Sequence, residues 1–218
     1  MVEGDRVRIF VTNKLPGAHQ RPWHGHACPA AWTGCLVLTQ PVIQPGKTFV
    51  YEFVARRPAL HVPPACRRDD ADGHGHDGFL GDHPKARHPL IDEVQRDFCF
   101  LLNAYDIDPG SYTPKTMTMT DFNLWSWNSR IFPGIDTLNV RLNDKVRIRI
   151  GNLTMTNHPI HVHGHEFTVT GTDGGPTPKA SRWPEVTADI AVGQMRQIDF
   201  WRMRKGTGRS TATRATTR

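Results

Sequence analysis

One stretch that occurs twice decides the organisation of this chain: Gly4-Asp5-Arg6-Val7-Arg8-Ile9-Phe10-Val11-Thr12-Asn13 and Asn143-Asp144-Lys145-Val146-Arg147-Ile148-Arg149-Ile150-Gly151-Asn152. Both copies contain the β-branched and alternating pattern that is typical of a β-strand. An internal repeat of this kind indicates that the same structural unit is built twice.

A second stretch repeats further along each half. Pro45-Gly46-Lys47-Thr48-Phe49-Val50-Tyr51-Glu52-Phe53 matches Val192-Gly193-Gln194-Met195-Arg196-Gln197-Ile198-Asp199-Phe200. In the register of the first repeat, without gaps, His24-Gly25-His26 aligns with His163-Gly164-His165, His19 with His158, and Pro22 with His161. The first copy therefore has one histidine fewer. Each half is predicted to be one β-domain that runs strand, histidine segment, long loop and strand.

Six runs along the chain have the composition and alternation of strands. They are Val7 to Val11, Thr48 to Phe53, Phe98 to Leu102, Val146 to Ile150, Phe167 to Thr170 and Arg196 to Phe200. Turn signals such as Asn143-Asp144 stand between them, and helix signals are scarce. This pattern predicts an all-β sandwich.

The formal charge of +6 arises at the end of the chain. Six basic residues from Arg202 to Arg218 are unaccompanied by acidic ones, and the rest of the chain is balanced. Such a tail can bind phosphate backbones, but it lacks interleaved aromatic residues beyond Trp201, so no nucleic-acid partner is expected. No apolar run is long enough to span a membrane, and the first residues lack the layout of a secretory signal. Neither a membrane partner nor an export signal is expected.

Other unusual features indicate little chemistry. The four cysteines, Cys28, Cys35, Cys66 and Cys99, have no zinc-like or disulfide spacing, so they do not settle the redox compartment. The stretch Asp69 to Asp77 crowds Asp, Gly and His together, but it does not match a calcium loop. Trp125 and Trp127 are expected to be packing residues rather than a redox relay.

The segment His158-Pro159-Ile160-His161-Val162-His163-Gly164-His165 has four histidines in eight residues. Side chains of a strand alternate between faces, so His161, His163 and His165 are expected to point the same way. His158 lies before a proline that is expected to break the ladder and redirect the chain. Neutral imidazoles suit copper, zinc, iron or nickel. The alternative is a set of exposed or core histidines, but their density favours a metal site, above all one for copper.

These stretches resemble motifs of the multicopper oxidases, the laccase-like family that oxidises substrates and reduces dioxygen to water. The segment His158 to His165 is similar to the third copper motif of that family. Four other stretches are similar to its first cupredoxin domain: Asn13 to Pro16, Trp23-His24-Gly25, Leu38 to Pro41, and Pro45 to Ala55. The likeness covers most of the chain, and the histidine motif is specific.

The resemblance implies two cupredoxin-like Greek-key β-sandwich domains, both incomplete. The first comprises residues 1-88, and the second comprises residues 89-218 and carries the histidine motif. Because no middle domain separates them between Pro84 and Phe98, the chain is similar to the two-domain branch, whose complete members form homotrimers. Complete relatives are periplasmic or secreted.

The resemblance also assigns ligands for copper, the implied cofactor. His158 would be a type 1 copper ligand, His161 a type 2 ligand, and His163 and His24 type 3 ligands. The implied partners are a small-molecule reducing substrate and O2. Electrons would pass from that substrate to a three-copper cluster, and no catalytic residue beyond the copper ligands is implied.

Three family motifs are replaced in this chain. The family has His-Trp-His-Gly where this chain has Arg21-Pro22-Trp23-His24-Gly25, and a His-x-His strand where it has Ala59-Leu60-His61-Val62-Pro63-Pro64. A closing His-Cys-His motif is replaced by Ser210-Thr211-Ala212-Thr213. That motif supplies the type 1 cysteine, so no blue copper site of the usual kind is expected. The resemblance therefore implies an impaired enzyme.

Translation in a shifted reading frame is the cause that we propose for such departures. When Trp201 to Arg218 is back-translated and re-read with one guanine restored, it ends in Ala-Phe-His-Cys-His-Lys-Ser-His-His. Two further stretches, Leu60 to Pro64 and His26 to Val37, also become family-like in another frame. On this hypothesis the basic tail, the Asp69 to Asp77 stretch and three of the cysteines are by-products of the shift.

Two alternatives to an impaired oxidase remain open. One is a copper-binding or copper-tolerance module that holds metal at His158, His161, His163 and His165 without turnover. The other is a non-functional remnant, because the altered stretches include the strands that should close each sandwich.

Overall fold

The structure, a computed structural model, describes residues 1–18, 41–55, 60–61, 80–81, 83–111, 114–115, 122–173 and 175–202. These ranges contain β-strands and one short 3-10 helix at Lys179–Ser181, and no α-helix. The strands are β1 (Arg6–Thr12), β2 (Thr48–Val54), β3 (Leu60–His61), β4 (Leu80–Gly81), β5 (Arg96–Tyr105), β6 (Leu124–Trp127), β7 (Lys145–Asn152), β8 (His158–His161), β9 (Phe167–Thr172), β10 (Gly175–Pro176), β11 (Pro184–Glu185), β12 (Thr187–Ile190) and β13 (Met195–Trp201). The all-β expectation is confirmed.

All six strands expected from the sequence form, namely β1, β2, β5, β7, β9 and β13. Strand β1 alternates exposed and half-buried residues along its whole length, as its sequence pattern requires. The middle of β5, by contrast, is buried at four consecutive residues, from Phe100 to Asn103. Such a strand is covered on both faces, which explains its continuous apolar run.

The chain divides into two compact units. The first comprises Met1–Arg87 and Tyr105–Asn123. Among its described residues, β1 and β2 pair antiparallel from Arg6 opposite Val54 to Thr12 opposite Thr48, and β3 pairs with β4. Tyr51 on β2 is fully buried. The boundaries 1-88 and 89-218 remain a prediction of two cupredoxin-like domains.

The second unit comprises His88–Ala104 and Leu124–Arg218. Its main sheet has the order β10-β9-β13-β7-β5-β6, with β11 also paired to β9, and β5 runs parallel to β7. Strands β8 and β12 form a separate two-stranded sheet. Apolar side chains from both sheets share one buried cluster, which includes Ile148, Ile160, Ile190 and Ile198. The two sheets thus enclose a common core, as in a sandwich.

The sequence repeat is also a repeat of hydrogen bonds. The side-chain amide of Asn13 donates to the carbonyls of Gly17 and Ile43, and that of Asn152 donates to the carbonyls of Thr156 and Ile190. The strand pairing repeats in the same register, since Arg6 lies opposite Val54 and Lys145 lies opposite Trp201. Each unit therefore builds the same local scaffold around its asparagine.

Two glycines at matching positions complete this scaffold. Gly46 and Gly193 have φ angles of 75° and 74°, and each donates its amide to the backbone carbonyl of the repeated asparagine. A positive φ of this size favours glycine because other L-residues are strained there. The repeat thus preserves the turn before β2 and the turn before β13.

The tryptophans on β6 do not share one role. Trp127 packs edge-on against Phe100, with ring centroids 5.2 Å apart, which confirms its expected packing role. Trp125 lies two residues away, on the same face of the strand, but is 41% exposed. Its expected packing role is therefore wrong. Cys99 is exposed, whereas the other three cysteines, the stretch Asp69 to Asp77 and the tail from Met203 onward lie outside the described residues.

Candidate metal centre

The histidine segment is a short strand followed by a turn. Strand β8 ends at His161, and the chain then turns, with a φ of 73° at Gly164. The expectation that His161, His163 and His165 alternate along one strand is therefore wrong, because the positive φ at Gly164 ends the extended conformation.

Pro159 does not break the β-ladder. It lies within β8, opposite Asp189, and the pairing runs from His158 opposite Ile190 to His161 opposite Thr187. Among the described strands β8 pairs with β12 alone, and a residue without an N–H is tolerated on such an edge. The sequence-based expectation that the proline redirects the chain is wrong, and β8 fixes the backbone of His158 and His161.

His158 is 2% exposed and its ring is held by hydroxyl groups. Its Nε2 lies 2.7 Å from Thr154 Oγ1 and 3.3 Å from Thr156 Oγ1. The Thr154 hydroxyl in turn lies 2.7 Å from Asn152 Oδ1 and 2.9 Å from the Thr156 carbonyl. The imidazole is thereby joined to the asparagine scaffold of β7.

The other ring nitrogen of His158, Nδ1, is buried and has no hydrogen-bond partner among the described residues. Burial lowers the pKa of this imidazole, although Asp189 raises it to a smaller extent. The ring is therefore held in its neutral form, which is the form that binds metals. A buried nitrogen without a partner needs an explanation, and a metal ligand is one.

His161 has the opposite arrangement. Its Nδ1 lies 2.6 Å from the Val186 carbonyl and 3.0 Å from Thr187 Oγ1. A carbonyl only accepts, so Nδ1 carries a proton, and in the neutral ring Nε2 then keeps its lone pair. The ring of His163 lies edge-on to that of His161, with centroids 4.9 Å apart. The segment therefore brings two imidazoles side by side, one with Nε2 available to a metal.

His165 is engaged elsewhere. Its Nε2 lies 3.2 Å from a guanidinium nitrogen of Arg202, its Nδ1 lies 3.2 Å from the His163 carbonyl, and its ring packs on Phe200. Guanidinium nitrogens only donate, so Nε2 of His165 accepts from Arg202. The alternative of a copper-binding module with four histidine ligands is thus not supported for His165, since both ring nitrogens of His165 already have partners.

The described residues do not assemble a complete metal site. No group of three or more His, Cys, Asp or Glu side chains is placed to hold a metal within the described ranges. His24 lies outside them, so its predicted role stays a prediction. Although the residue as a whole is exposed, desolvation of its sulfur raises the pKa of the Cys99 thiol, and Asp97 raises it further, so this cysteine is not set up as a thiolate ligand.

The residues present fit copper. Neutral imidazoles are suitable copper ligands, and the orphaned Nδ1 of His158 is a buried donor atom with no other use. Its remaining nitrogen is hydrogen-bonded, as is usual for histidines that bind metals. The sequence alone did not indicate that Asn152 and Thr154 would hold the second ring nitrogen of a candidate ligand. The repeat of Asn13 at Asn152 was an available signal, but nothing in the sequence marked the hydroxyl of Thr154.

The comparisons with known proteins agree with this chemistry. The described fold belongs with the cupredoxin-like β-sandwiches. Two family models described as multicopper oxidase match the chain, one over residues 1–61 and the other over residues 108–205. Together they cover more than half of it, so the chain belongs to the multicopper oxidase family, whose cofactor is copper.

Solved structures show the same likeness. The blue copper oxidase from Nitrosomonas europaea is 26% identical with a TM-score of 0.82, and the match covers 94% of this chain and 65% of that one. The multicopper oxidase mgLAC is 25% identical with a TM-score of 0.80, and the match covers 94% and 66% of the two chains. The similarity therefore extends over nearly the whole chain.

Curated relatives match over shorter shares of their length. A probable nitrite reductase-hydroxylamine oxidoreductase fusion protein from Kuenenia stuttgartiensis is 26% identical over 76% of this chain and 20% of its own. The multicopper oxidase MmcO from Mycobacterium tuberculosis is 35% identical over 32% of this chain and 14% of its own. This chain thus spans a fifth or less of these relatives.

In the described residues no helix is long and apolar enough to cross a membrane.

Proposed function

We propose that this chain binds copper through His158, His161 and His163, with His24 as a further ligand, and that the copper serves oxidation of a small-molecule substrate by O2. The observation that carries this proposal is the buried Nδ1 of His158, which has no hydrogen-bond partner among the described residues. Bound copper would supply one-electron transfer from the substrate and reduction of dioxygen.

The chain's own residues have distinct parts in this proposal. The Thr154 hydroxyl and strand β8 orient His158, and burial excludes water from its Nδ1. The Val186 carbonyl holds the proton of His161 on Nδ1 and leaves Nε2 for the metal. The packing of His163 against His161 places a second imidazole beside it. Each ligand would thus be oriented before the metal arrives.

We further propose that this chain by itself turns over poorly. No cysteine or histidine follows His165 in its sequence, so the thiolate of a blue copper site has no candidate there. Arg202, at the start of the basic tail, donates to His165 at the edge of the histidine segment. A guanidinium cation near a copper site disfavours the bound cation through like charge.

One observation favours a second candidate function, copper binding without turnover. Within the described residues the histidines lie together, but no group of three or more ligands converges. A module with two or three imidazoles would bind copper and have no route for multi-electron chemistry. On this candidate the ligands are His158, His161 and His163, and His165 is excluded by its partners.

Copper loading separates these functions. The purified chain is titrated with Cu(II), its absorption is recorded, and oxygen uptake is measured with a phenolic donor. We expect stoichiometric binding without an intense blue band and with little uptake, and we expect His158→Gln to weaken binding. The control is His83→Gln, because His83 is an exposed histidine of the other unit. An intense blue band with turnover would contradict the impairment, and absence of copper binding would contradict both functions.

The remaining proposals concern the gene and the assembly. Sequencing the DNA that encodes this chain tests the shifted frame, and a gene without the His-Cys-His codons in another frame would contradict it. We also propose the homotrimer of complete two-domain relatives. Sedimentation of the copper-loaded chain tests it, and a monomer at all concentrations would contradict it.

A further inference from the structure

We propose that Thr154 is a positioning residue that fixes the tautomer of His158 and thereby aims the lone pair of Nδ1 at the copper. This inference rests on the proposed function, because it assigns a role toward the copper that His158 would hold. Thr154 itself is 2% exposed. Its hydroxyl is hydrogen-bonded to Nε2 of His158, and not to Nδ1, the nitrogen that would bind copper.

The first step is the orientation of the Asn152 side chain. Its Nδ2 lies 2.8 Å from the Thr156 carbonyl and 2.9 Å from the Ile190 carbonyl. Both partners are acceptors, so the amide nitrogen must face them and Oδ1 must face the other way. The backbone N–H of Thr154 donates to Oδ1 at 2.9 Å, which is consistent with this orientation. The acceptor that meets the Thr154 hydroxyl is therefore unambiguous.

The second step is the direction of the Thr154 hydroxyl proton. Oγ1 lies 2.7 Å from Asn152 Oδ1 and 2.9 Å from the Thr156 carbonyl, and both oxygens only accept. Without a proton between them, Thr154 Oγ1 and these two acceptor oxygens would repel one another, so the hydroxyl proton points toward them. The lone pairs of Oγ1 are then left for Nε2 of His158 at 2.7 Å, so Nε2 must carry the ring proton.

The third step follows for Nδ1. If the ring proton sat on Nδ1 instead, a buried N–H would have no acceptor among the described residues, which costs about 1–3 kcal/mol. With the proton on Nε2, the buried Nδ1 presents a lone pair. The relay from Asn152 through Thr154 to His158 thus selects the tautomer whose free lone pair is on Nδ1.

The first copy of the repeat provides an independent comparison. Asn13 makes the same three bonds as Asn152: two from its amide to carbonyls, and one accepted from the backbone N–H two residues on. The residue two positions on is Leu15 in the first copy and Thr154 in the second. The scaffold therefore forms without a hydroxyl at this position. In the second copy, where a hydroxyl is present, it is the partner of the His158 ring.

The consequence for copper is quantitative. Partners of a ligand's second nitrogen change metal affinity by about 10–100-fold when they are removed. Thr154→Val keeps the shape of the side chain and removes the hydroxyl, so Nε2 loses its 2.7 Å partner and keeps only Thr156 Oγ1 at 3.3 Å. We expect a mixture of tautomers in the copper-free chain and Cu(II) affinity lowered about 10–100-fold.

The test has two readouts and two matched variants. Nitrogen-15 NMR of the copper-free chain assigns the protonated nitrogen of His158, and competition with a chelator measures Cu(II) affinity. We expect the proton on Nε2 in the wild-type chain and in Thr154→Ser, which keeps the hydroxyl. Thr156→Val is the control, because it removes the weaker 3.3 Å contact and leaves the 2.7 Å bond. It should change the affinity less than twofold.

Several results would overturn the proposal. One is a wild-type chain whose His158 carries its proton on Nδ1, which requires no variant to fold. Another is Thr154→Val with the wild-type tautomer and an affinity within twofold of wild type. If the wild-type chain binds no Cu(II), the proposed function fails, but the NMR readout still tests the role of Thr154 on the ring.

Discussion

Arg147→Leu is expected to destabilise the second unit far more than the matching Arg8→Leu destabilises the first. Arg147 lies opposite Asp199 between β7 and β13, with both side chains at most 4% exposed. It donates to the two carboxylate oxygens at 2.9 and 2.7 Å and to the Asp92 carbonyl at 3.0 Å. Arg8 lies opposite Glu52 in the same register of the repeat, but its side chain is 59% exposed.

The difference in burial sets the magnitudes. Removing Arg147 leaves the Asp199 carboxylate buried without its cation, which costs about 3–5 kcal/mol. Removing Arg8 breaks a pair exposed to water, which costs about 0–1 kcal/mol. Since the urea dependence of small domains is about 1–3 kcal/mol/M, the Arg147 variant should lower the unfolding midpoint by roughly 1–5 M.

Urea unfolding followed by circular dichroism measures both variants, and the fluorescence of Trp127, which packs against Phe100, follows the second unit separately. The double variant Arg147→Leu with Asp199→Leu should recover much of the lost stability, since no unpaired charge then remains buried. Equal losses for Arg147→Leu and Arg8→Leu would refute the reasoning. Such a result would mean that the burial of an ion pair does not determine how much stability its loss removes.

Two further predictions concern stability. The pKa of His158 lies below its usual 6.5 in the folded copper-free chain, so unfolding at acid pH takes up a proton. Stability should be full above pH 6.5 and fall as the pH drops below it, whereas His158→Gln should lose this slope in urea titrations at several pH values. Gly193→Ala and Gly46→Ala should each lower the free energy of unfolding by about 1–2 kcal/mol, because both positions have positive φ. An added Cβ meets open space at both, so backbone strain alone sets the loss. Markedly unequal thermal unfolding shifts would contradict that equivalence.

The strands were predictable because their pattern is local. Each run has the composition of a strand over four or more positions, and pairing then follows from the repeat, as Arg6 opposite Val54 and Lys145 opposite Trp201 show. The pairing of β5 parallel to β7 was not predictable from alternation, since it joins residues about fifty positions apart through a crossover. Burial of Arg147 depends on that same non-local packing.

The candidate site was predictable in its residue types but not in its geometry. Four histidines in eight residues marked the metal segment, and His158, His161 and His163 lie on β8 and the turn that follows it. The positive φ of Gly164 ended the expected alternation, and the Arg202 contact removed His165 from the candidate ligands. Both effects depend on tertiary placement, which a spacing pattern does not contain.

The two copies of the repeat separate what holds the fold from what serves the metal. The amide of Asn13 or Asn152, the glycine turn and the strand register are the same in both. Since the first copy forms this network with Leu15, the hydroxyl of Thr154 is not needed to build it. A valine of the same shape should therefore be tolerated by the backbone network, and its main effect should fall on the imidazole of His158. This is why a tautomer measurement on Thr154→Val distinguishes a positioning role from a structural one.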